Sequence, residues 1–157
     1  MLCLTILPQG STSIAETVNE PPHCNADRKG IWTMGLISCS NNVSEGYTLF
    51  SPMPSTTSYL IDHQGREVHS WESPGAHRPA LASYLLEDGD LLRTANIAQQ
   101  AVGDFSGGGT AGKIERIAWD GSNEWSWEYS SMDYITHHDI EPMPNGNILA
   151  IAWEDKT

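Results

Sequence analysis

Basic residues and long apolar stretches are both scarce in this sequence. Eight Lys and Arg residues stand against 20 Asp and Glu residues, so the formal net charge is −12. A nucleic-acid-binding surface needs clustered Lys and Arg to neutralise phosphates, and we therefore expect no nucleic-acid partner. A membrane-spanning helix needs about 20 consecutive apolar residues, which the chain does not contain, so no transmembrane segment is predicted. The acidic residues are dispersed, as is typical of a solvated surface.

The short motifs of several enzyme classes are missing too. The chain has no Gly-x-Ser-x-Gly, no phosphate-binding P-loop and no Cys-x-x-Cys. We therefore predict no cofactor. His137 and His138 are adjacent, and adjacent residues of a regular strand point to opposite faces of the sheet. Two such side chains do not readily bind one ion, so no metal site is predicted either.

Three cysteines leave two interpretations open. Cys3 lies in a short apolar run at residues 2–8, which would be lost if it belongs to an export signal. Cys24 and Cys39 would then remain as an even pair, either as a disulfide or as two free buried thiols. We predict the disulfide. Residues 1–30 are polar and without periodicity, which indicates a leader or linker before a folded domain at 31–157.

Short apolar-aromatic runs alternate with turn signals along residues 31–157, and no segment keeps a helical period. Asp-Gly at 88–89 and 120–121 and Asn-Gly at 145–146 supply the positive φ that tight hairpin turns require. The pattern predicts an all-β fold. We expect strands at residues 47–51, 59–62, 68–71, 83–86, 91–95, 114–119, 125–129, 139–143 and 148–153.

The strands repeat along the chain. Gly89 and Gly146, and likewise Leu92 and Leu149, are 57 residues apart. Four strands per repeat of this length are typical of a β-propeller blade, and a two-sheet sandwich is the alternative. We predict two four-stranded units, at roughly 57–96 and 113–153. Two blades cannot close a ring, so we expect the chain to be part of a longer propeller or to associate with other subunits.

The repeat breaks at one group of polar residues. At an offset of 57, His138 and Asp139 fall opposite Leu81 and Ala82. A titratable cluster at a position that packs apolar residues in the sister repeat indicates a site. An imidazole can act as a proton donor, a base or a nucleophile, and a neighbouring carboxylate can favour its charged form. The alternative is a solvent-facing histidine pair at a strand start.

Two further features suggest anion binding. Three consecutive glycines at 107–109 could form a nest of backbone N–H groups, or simply a loop between repeats. Lys113 follows this loop, and Arg93 falls opposite Ala150 in the repeat alignment. We predict that Arg93, Gly108 and Lys113 contact an anionic substrate.

Several segments together resemble the arylsulfotransferase family, also called aryl-sulfate sulfotransferases. The resemblance covers roughly residues 33–157. Its strongest part is HHDIEP at 137–142 followed by PNGN at 144–147. The other matching segments are GYTLFSP at 46–52, YLID at 59–62, VHSW at 68–71, ASYLLEDG at 82–89 and LLR at 91–93.

The resemblance implies a β-propeller that is exported to the periplasm or secreted. It implies sulfuryl transfer from an aryl sulfate ester to a phenol through a sulfated histidine, without a nucleotide donor. His138, with His137 as second choice, would bind the sulfuryl group and Asp139 would keep the imidazole protonated. The nucleophilic histidine of the family would lie in a later repeat, beyond Thr157. A non-catalytic propeller that binds a ligand or scaffolds a partner is the main alternative, another propeller enzyme is a third, and the oligomeric state stays open.

Overall fold

A computed structural model describes residue 36 and residues 42–97 and 108–156. Throughout this part of the chain the regular structure is β, which confirms the predicted all-β class. Neither the leader at 1–30 nor the pair Cys24 and Cys39 lies within the described residues. The strands that the described residues form are β1 (Tyr47–Phe50), β2 (Thr57–Asp62), β3 (Glu67–Glu72), β4 (Arg78–Leu85), β5 (Leu91–Asn96), β6 (Gly112–Ile117), β7 (Asn123–Glu128), β8 (Tyr134–Pro142) and β9 (Ile148–Glu154).

These strands form three sheets, each ordered as in the sequence: β1-β2-β3, β4-β5-β6-β7 and β8-β9. No sheet closes on itself within the described ranges. The same ranges contain no helix that could cross a membrane. The antiparallel pairing of β4 with β5, of β6 with β7 and of β8 with β9 follows from their short turns, because a tight turn can join only antiparallel neighbours. β5 and β6 are antiparallel too, but residues 97–111 lie between them.

The chain divides into two compact units. Of the described residues, the smaller takes in residue 36, residues 42–50 and Tyr59–Ser70, and the larger takes in Ser51–Ser58 and residues 71–97 and 108–156. In the smaller unit β1 pairs with β2 from Tyr47↔Asp62 to Phe50↔Tyr59. In the larger unit Ala82, Leu92, Ile114 and Ile140 form a buried apolar cluster.

The 57-residue repeat is present in the larger unit as two hairpins of the same register. We call β4–β5 the first hairpin and β8–β9 the second hairpin. Every pair of facing residues in the first has a counterpart 57 positions later in the second. The pairs are Pro79↔Ala95, Ser83↔Arg93 and Leu85↔Leu91 in the first and Thr136↔Ala152, Ile140↔Ala150 and Pro142↔Ile148 in the second.

The turns of the two hairpins also match. Gly89 and Gly146 have φ values of 93° and 82°. Each donates its N–H to the carbonyl three residues earlier, on Leu86 and Met143 respectively. Only glycine adopts this left-handed conformation without strain from a Cβ. The Asp-Gly and Asn-Gly signals therefore predicted these turns correctly.

The predicted grouping of the strands is wrong, although their spacing is right. The four-stranded sheet runs from Arg78 to Glu128, so it joins the end of one predicted unit to the start of the next. Its centre is the β5–β6 pairing, with Leu92 facing Arg116. A repeat length fixes the distance between equivalent strands but does not say which strand begins a sheet. The described residues hold one four-stranded sheet with a three-stranded and a two-stranded sheet.

Candidate functional site

The predicted histidine cluster lies on an irregularity of the second hairpin. The β8–β9 register shifts between Thr136 and Ile140, so residues 137–139 face Ile151 alone. We call residues 137–139 the second bulge. His138 has a φ of 57°, in the left-handed region that non-glycine residues seldom adopt. Because the strand is not regular here, the expectation that adjacent histidines point to opposite faces does not hold.

The first hairpin carries the same irregularity 57 residues earlier. Residues 80–82, the first bulge, face Thr94 alone. The Thr94 hydroxyl accepts hydrogen bonds from the backbone N–H groups of Leu81, at 3.2 Å, and Ala82, at 3.0 Å. The hydroxyl thus supplies the hydrogen-bond acceptor that the interrupted strand pairing does not provide.

The second bulge obtains its hydrogen bonds differently. Ile151 occupies the position of Thr94 and has no hydroxyl. The His138 N–H instead donates to the carbonyl oxygen of Gly109 at 2.7 Å, and Thr110 forms an isolated bridge with His137. The glycine-containing loop is therefore attached to the bulge that carries the histidines.

The two imidazoles, which we call the histidine pair, contact each other directly. The Nδ1 atoms of His137 and His138 are 2.8 Å apart, and the ring planes are close to perpendicular at 88°. A hydrogen bond between two Nδ1 atoms needs one N–H and one lone pair. The accepting ring is therefore neutral and carries its hydrogen on Nε2, so the pair holds at most one positive charge while the bond persists.

His137 is the less exposed of the two rings. Its imidazole stacks on Trp153 at 4.2 Å between ring centroids, with an angle of 19° between the planes. Burial, and after it the charge of His138, lower the pKa of His137. Both effects favour the neutral form of His137, so a positive charge on the pair would reside on the more exposed His138, which would then donate the Nδ1 hydrogen.

Gly109 makes room for the ring of His138. A methyl group added at Gly109 would lie 2.7 Å from both Cε1 and Nε2 of that imidazole and 2.8 Å from Cδ2. Nearly equal distances to three ring atoms place the methyl over the face of the ring. The predicted substrate ligand Gly108 is exposed, with open space where its Cβ would be, and its role in binding stays a prediction.

Asp139 does not hold an imidazole as expected. In the described part of the chain no hydrogen bond or ion pair joins this carboxylate to His137 or His138. Its Oδ1 accepts from the Tyr84 hydroxyl at 3.1 Å and from the N–H of Ile140 at 2.9 Å. Burial, together with the charge and hydrogen bond of Asp139, raises the pKa of Tyr84 to about 12. Asp139 thus ties the second bulge to β4 of the four-stranded sheet.

Arg93 is an internal residue. Its side chain is 0% exposed, and its Nε lies 3.2 Å from Glu115 Oε2. The remaining contacts of the guanidinium are with groups of the protein interior. It donates to the carbonyl oxygens of His77, at 2.7 Å, and Thr56, at 3.3 Å, and to Ser58 Oγ, at 3.3 Å. The predicted contact with a substrate stays a prediction. These four contacts already engage the guanidinium within the fold.

Lys113 is also close to carboxylates. Its Nζ lies 3.4 Å from Glu128 Oε1 and 3.8 Å from Glu115 Oε1, and it is 3.4 Å from His77 Nε2. Only 12% of the side chain is exposed. Its positive charge is therefore largely balanced within the four-stranded sheet, and its predicted role in substrate binding stays a prediction.

Sequence reasoning missed three neighbours of the histidine pair: Gly109 as the residue under His138, Trp153 as the stacking partner of His137, and Tyr84 as the partner of Asp139. The 57-residue offset pairs residues 137–139 with residues 80–82, and the structure shows that both sets of three residues are bulges. Nothing in the sequence spacing indicated Tyr84.

No group of three or more His, Cys, Asp or Glu side chains that could hold a metal occurs among residues 42–97 and 108–156. The site is thus a solvent-exposed pair of hydrogen-bonded imidazoles, backed by an indole and a glycine and bordered by a carboxylate. No family model, no curated protein and no solved structure matches this chain.

Proposed function

We propose that the chain forms part of an exported β-propeller of the aryl-sulfate sulfotransferase type, in which the histidine pair binds the sulfuryl group. The propeller is supported by the antiparallel four-stranded sheet in sequence order and by the hairpin that recurs 57 residues later. The repeats of such a fold place equivalent strands around a common axis, and the second bulge would lie at one of those equivalent positions.

The observation that carries the proposal is the second bulge, which gathers two imidazoles where the first bulge has Leu81 and two alanines. The Nδ1–Nδ1 bond leaves an Nε2–H on the accepting imidazole that can donate to a sulfuryl oxygen. A proton on Nε2 of His138 would add a cationic donor. Donors placed around the oxygens of a transferring group stabilise the charge that develops in the transition state.

The substrates would be an aryl sulfate and a phenol. In each transfer the bond between sulfur and the donor's aryl oxygen breaks, and the leaving phenolate takes up a proton. A bond from sulfur to a histidine nitrogen forms in its place. In the second step this sulfur–nitrogen bond breaks, a bond from sulfur to the acceptor oxygen forms, and the acceptor phenol loses its proton. A histidine carries the sulfuryl group between the two steps, so the reaction needs neither an oxidant nor a cofactor.

The test uses the longer protein that carries the nucleophilic histidine. It measures transfer of sulfate from 4-nitrophenyl sulfate to phenol, through release of nitrophenol and formation of phenyl sulfate. We expect His138→Ala to lower the rate about 100- to 1000-fold, the usual effect of losing one transition-state donor. His137→Ala should lower it comparably, because the bulge brings both rings together. His63→Ala, in the β2–β3 turn, is the matched control and should retain the wild-type rate.

Equal rates for wild type and His138→Ala at matched stability would remove the histidine pair from the reaction. A second function is favoured by the positions of Arg93 and Lys113, whose charges are engaged by Glu115 and Glu128. Without free cationic donors the pair would bind an aryl sulfate but not transfer its sulfuryl group. Saturable binding of 4-nitrophenyl sulfate in calorimetry, without release of nitrophenol, would identify this ligand-binding function.

A further inference from the structure

The separation of the two Nδ1 atoms matches a metal-binding geometry. Ligands at right angles, each about 2.0 Å from an ion, are about 2.8 Å apart, whereas the tetrahedral angle places them about 3.3 Å apart. The Nδ1 atoms of His137 and His138 are 2.8 Å apart. The distance between the two nitrogens is therefore that of two neighbouring ligands of a square-planar ion and is about 0.5 Å shorter than the distance between two ligands of a tetrahedral one.

Contacts with residues outside the pair also hold the two rings in this arrangement. Trp153 stacks on the ring of His137, and Gly109 lies against the face of the ring of His138. The backbone is fixed as well, because the His138 N–H donates to the Gly109 carbonyl at 2.7 Å. An ion that replaced the shared hydrogen would thus find two nitrogen ligands already placed, with His138 exposed to solvent.

We propose that His137 and His138 chelate one Cu(II) ion through their Nδ1 atoms, with water in the remaining square-planar positions. The hydrogen on Nδ1 of the donor ring moves to Nε2 of the same ring, so both imidazoles bind as neutral ligands. Square-planar geometry with nitrogen ligands is typical of Cu(II), which also binds imidazole more tightly than the other divalent first-row ions. The described residues offer no third side chain to this site, so water completes the set.

The experiment titrates the purified full chain, with its cysteines alkylated, with CuCl₂ by isothermal titration calorimetry. We expect one ion per chain and at least tenfold weaker binding for each of His137→Gln and His138→Gln, because either change reduces a chelate to a single ligand. His69→Gln, on β3, is the control and should bind as wild type does. ZnCl₂ should bind at least tenfold more weakly than CuCl₂.

Electron paramagnetic resonance of the wild-type complex provides a readout that needs no variant. Hyperfine splitting from two equivalent nitrogens is expected for the chelate. Splitting from a single nitrogen, unchanged copper affinity in both glutamine variants, or tighter binding of zinc than of copper would each overturn the proposal. No aryl sulfate is present in these measurements, so their outcome is separate from that of the transfer assay.

Discussion

The two bulges of the larger unit have the same backbone plan and opposite chemistry. In each, three residues of one strand face a single residue of its partner, and the middle residue is exposed. Leu81 occupies the middle position of the first bulge and is 54% exposed, and His138 occupies it in the second and is exposed as well. The repeat therefore fixes where a side chain is presented. The residue at that position decides whether it is an inert aliphatic group or an imidazole.

The residues on the strands that face the two bulges differ in the opposite way: they are polar in the first hairpin and apolar in the second. The first hairpin has Thr94 opposite the bulge and the buried Arg93 next to it, and both side chains satisfy polar groups inside the fold. The second hairpin has Ile151 and Ala150, which provide no donor or acceptor side chain. The first bulge is stabilised from within its own hairpin, while the second depends on the loop that contains Gly109. The two bulges thus share one backbone geometry, but different groups stabilise them.

Replacement of Arg93 should have the largest effect on stability. Arg93→Met gives the first hairpin an apolar residue, like Ala150 in the second, and leaves Glu115 buried with only Lys113 and Ser73 nearby. Removing one partner of a buried ion pair costs about 3–5 kcal/mol. We expect a loss of that size in the free energy of unfolding, measured by urea denaturation.

The double variant Arg93→Met with Glu115→Leu tests the cause. Because it removes both charges, it should be more stable than Arg93→Met alone. A double variant as unstable as the sum of the two single changes would mean that Arg93 contributes through packing and through its bonds to Thr56 and His77.

Removal of the Thr94 hydroxyl should have the next largest effect. Thr94→Val keeps the shape of the side chain but leaves the N–H groups of Leu81 and Ala82 without their acceptor. Unsatisfied buried backbone donors cost about 1–3 kcal/mol, and we expect that loss in urea denaturation. Ile151→Val at the equivalent position is the control and should change stability by about 0.5 kcal/mol or less, since Ile151 is exposed and accepts no such bond. Equal effects of both changes would show that the hydroxyl does not support the bulge.

Much of this comparison could be predicted from the sequence, and part of it could not. The 57-residue offset placed His138 opposite Leu81 correctly, because strands that pack alike keep their register. The bulge itself was not predicted, since a period of two along a strand contains no sign of the extra residues. The contact of Asp139 with Tyr84 depends on how two neighbouring sheets approach each other, and strand patterns carry no information on that approach.

The loop that supports the second bulge is tested by Gly109→Ala. Gly109 has a φ of 83°, and its added methyl would lie 2.7 Å from the His138 ring. Gly121→Ala is a matched control, with a φ of 85° and open space around the added Cβ. Both changes carry the left-handed cost of about 1–2 kcal/mol, but only Gly109→Ala should also move the ring. We expect the Cε1–H nuclear magnetic resonance signals of the histidine pair to shift in Gly109→Ala and not in Gly121→Ala. Unshifted signals in both would mean that the loop does not position His138.

The smallest effect is expected where the two repeats meet, in the bond from Tyr84 of the first hairpin to Asp139 of the second bulge. Tyr84→Phe removes a single, partly exposed hydrogen bond, which is worth about 0.5–1 kcal/mol.

Burial and the neighbouring carboxylate raise the pKa of Tyr84 from 10.0 to about 12, so folding favours the neutral phenol. A group whose pKa is raised in the folded state contributes its stability fully below its unfolded pKa and loses it as the pH rises through the folded pKa. The wild type should therefore lose its advantage over Tyr84→Phe between pH 10 and 12 and keep it from pH 6 to 9. Unfolding free energies of both proteins, measured across that range, check this. An advantage that is unchanged at pH 12 would mean that the phenol and Asp139 do not interact in solution, and that this bond does not tie the second bulge to β4.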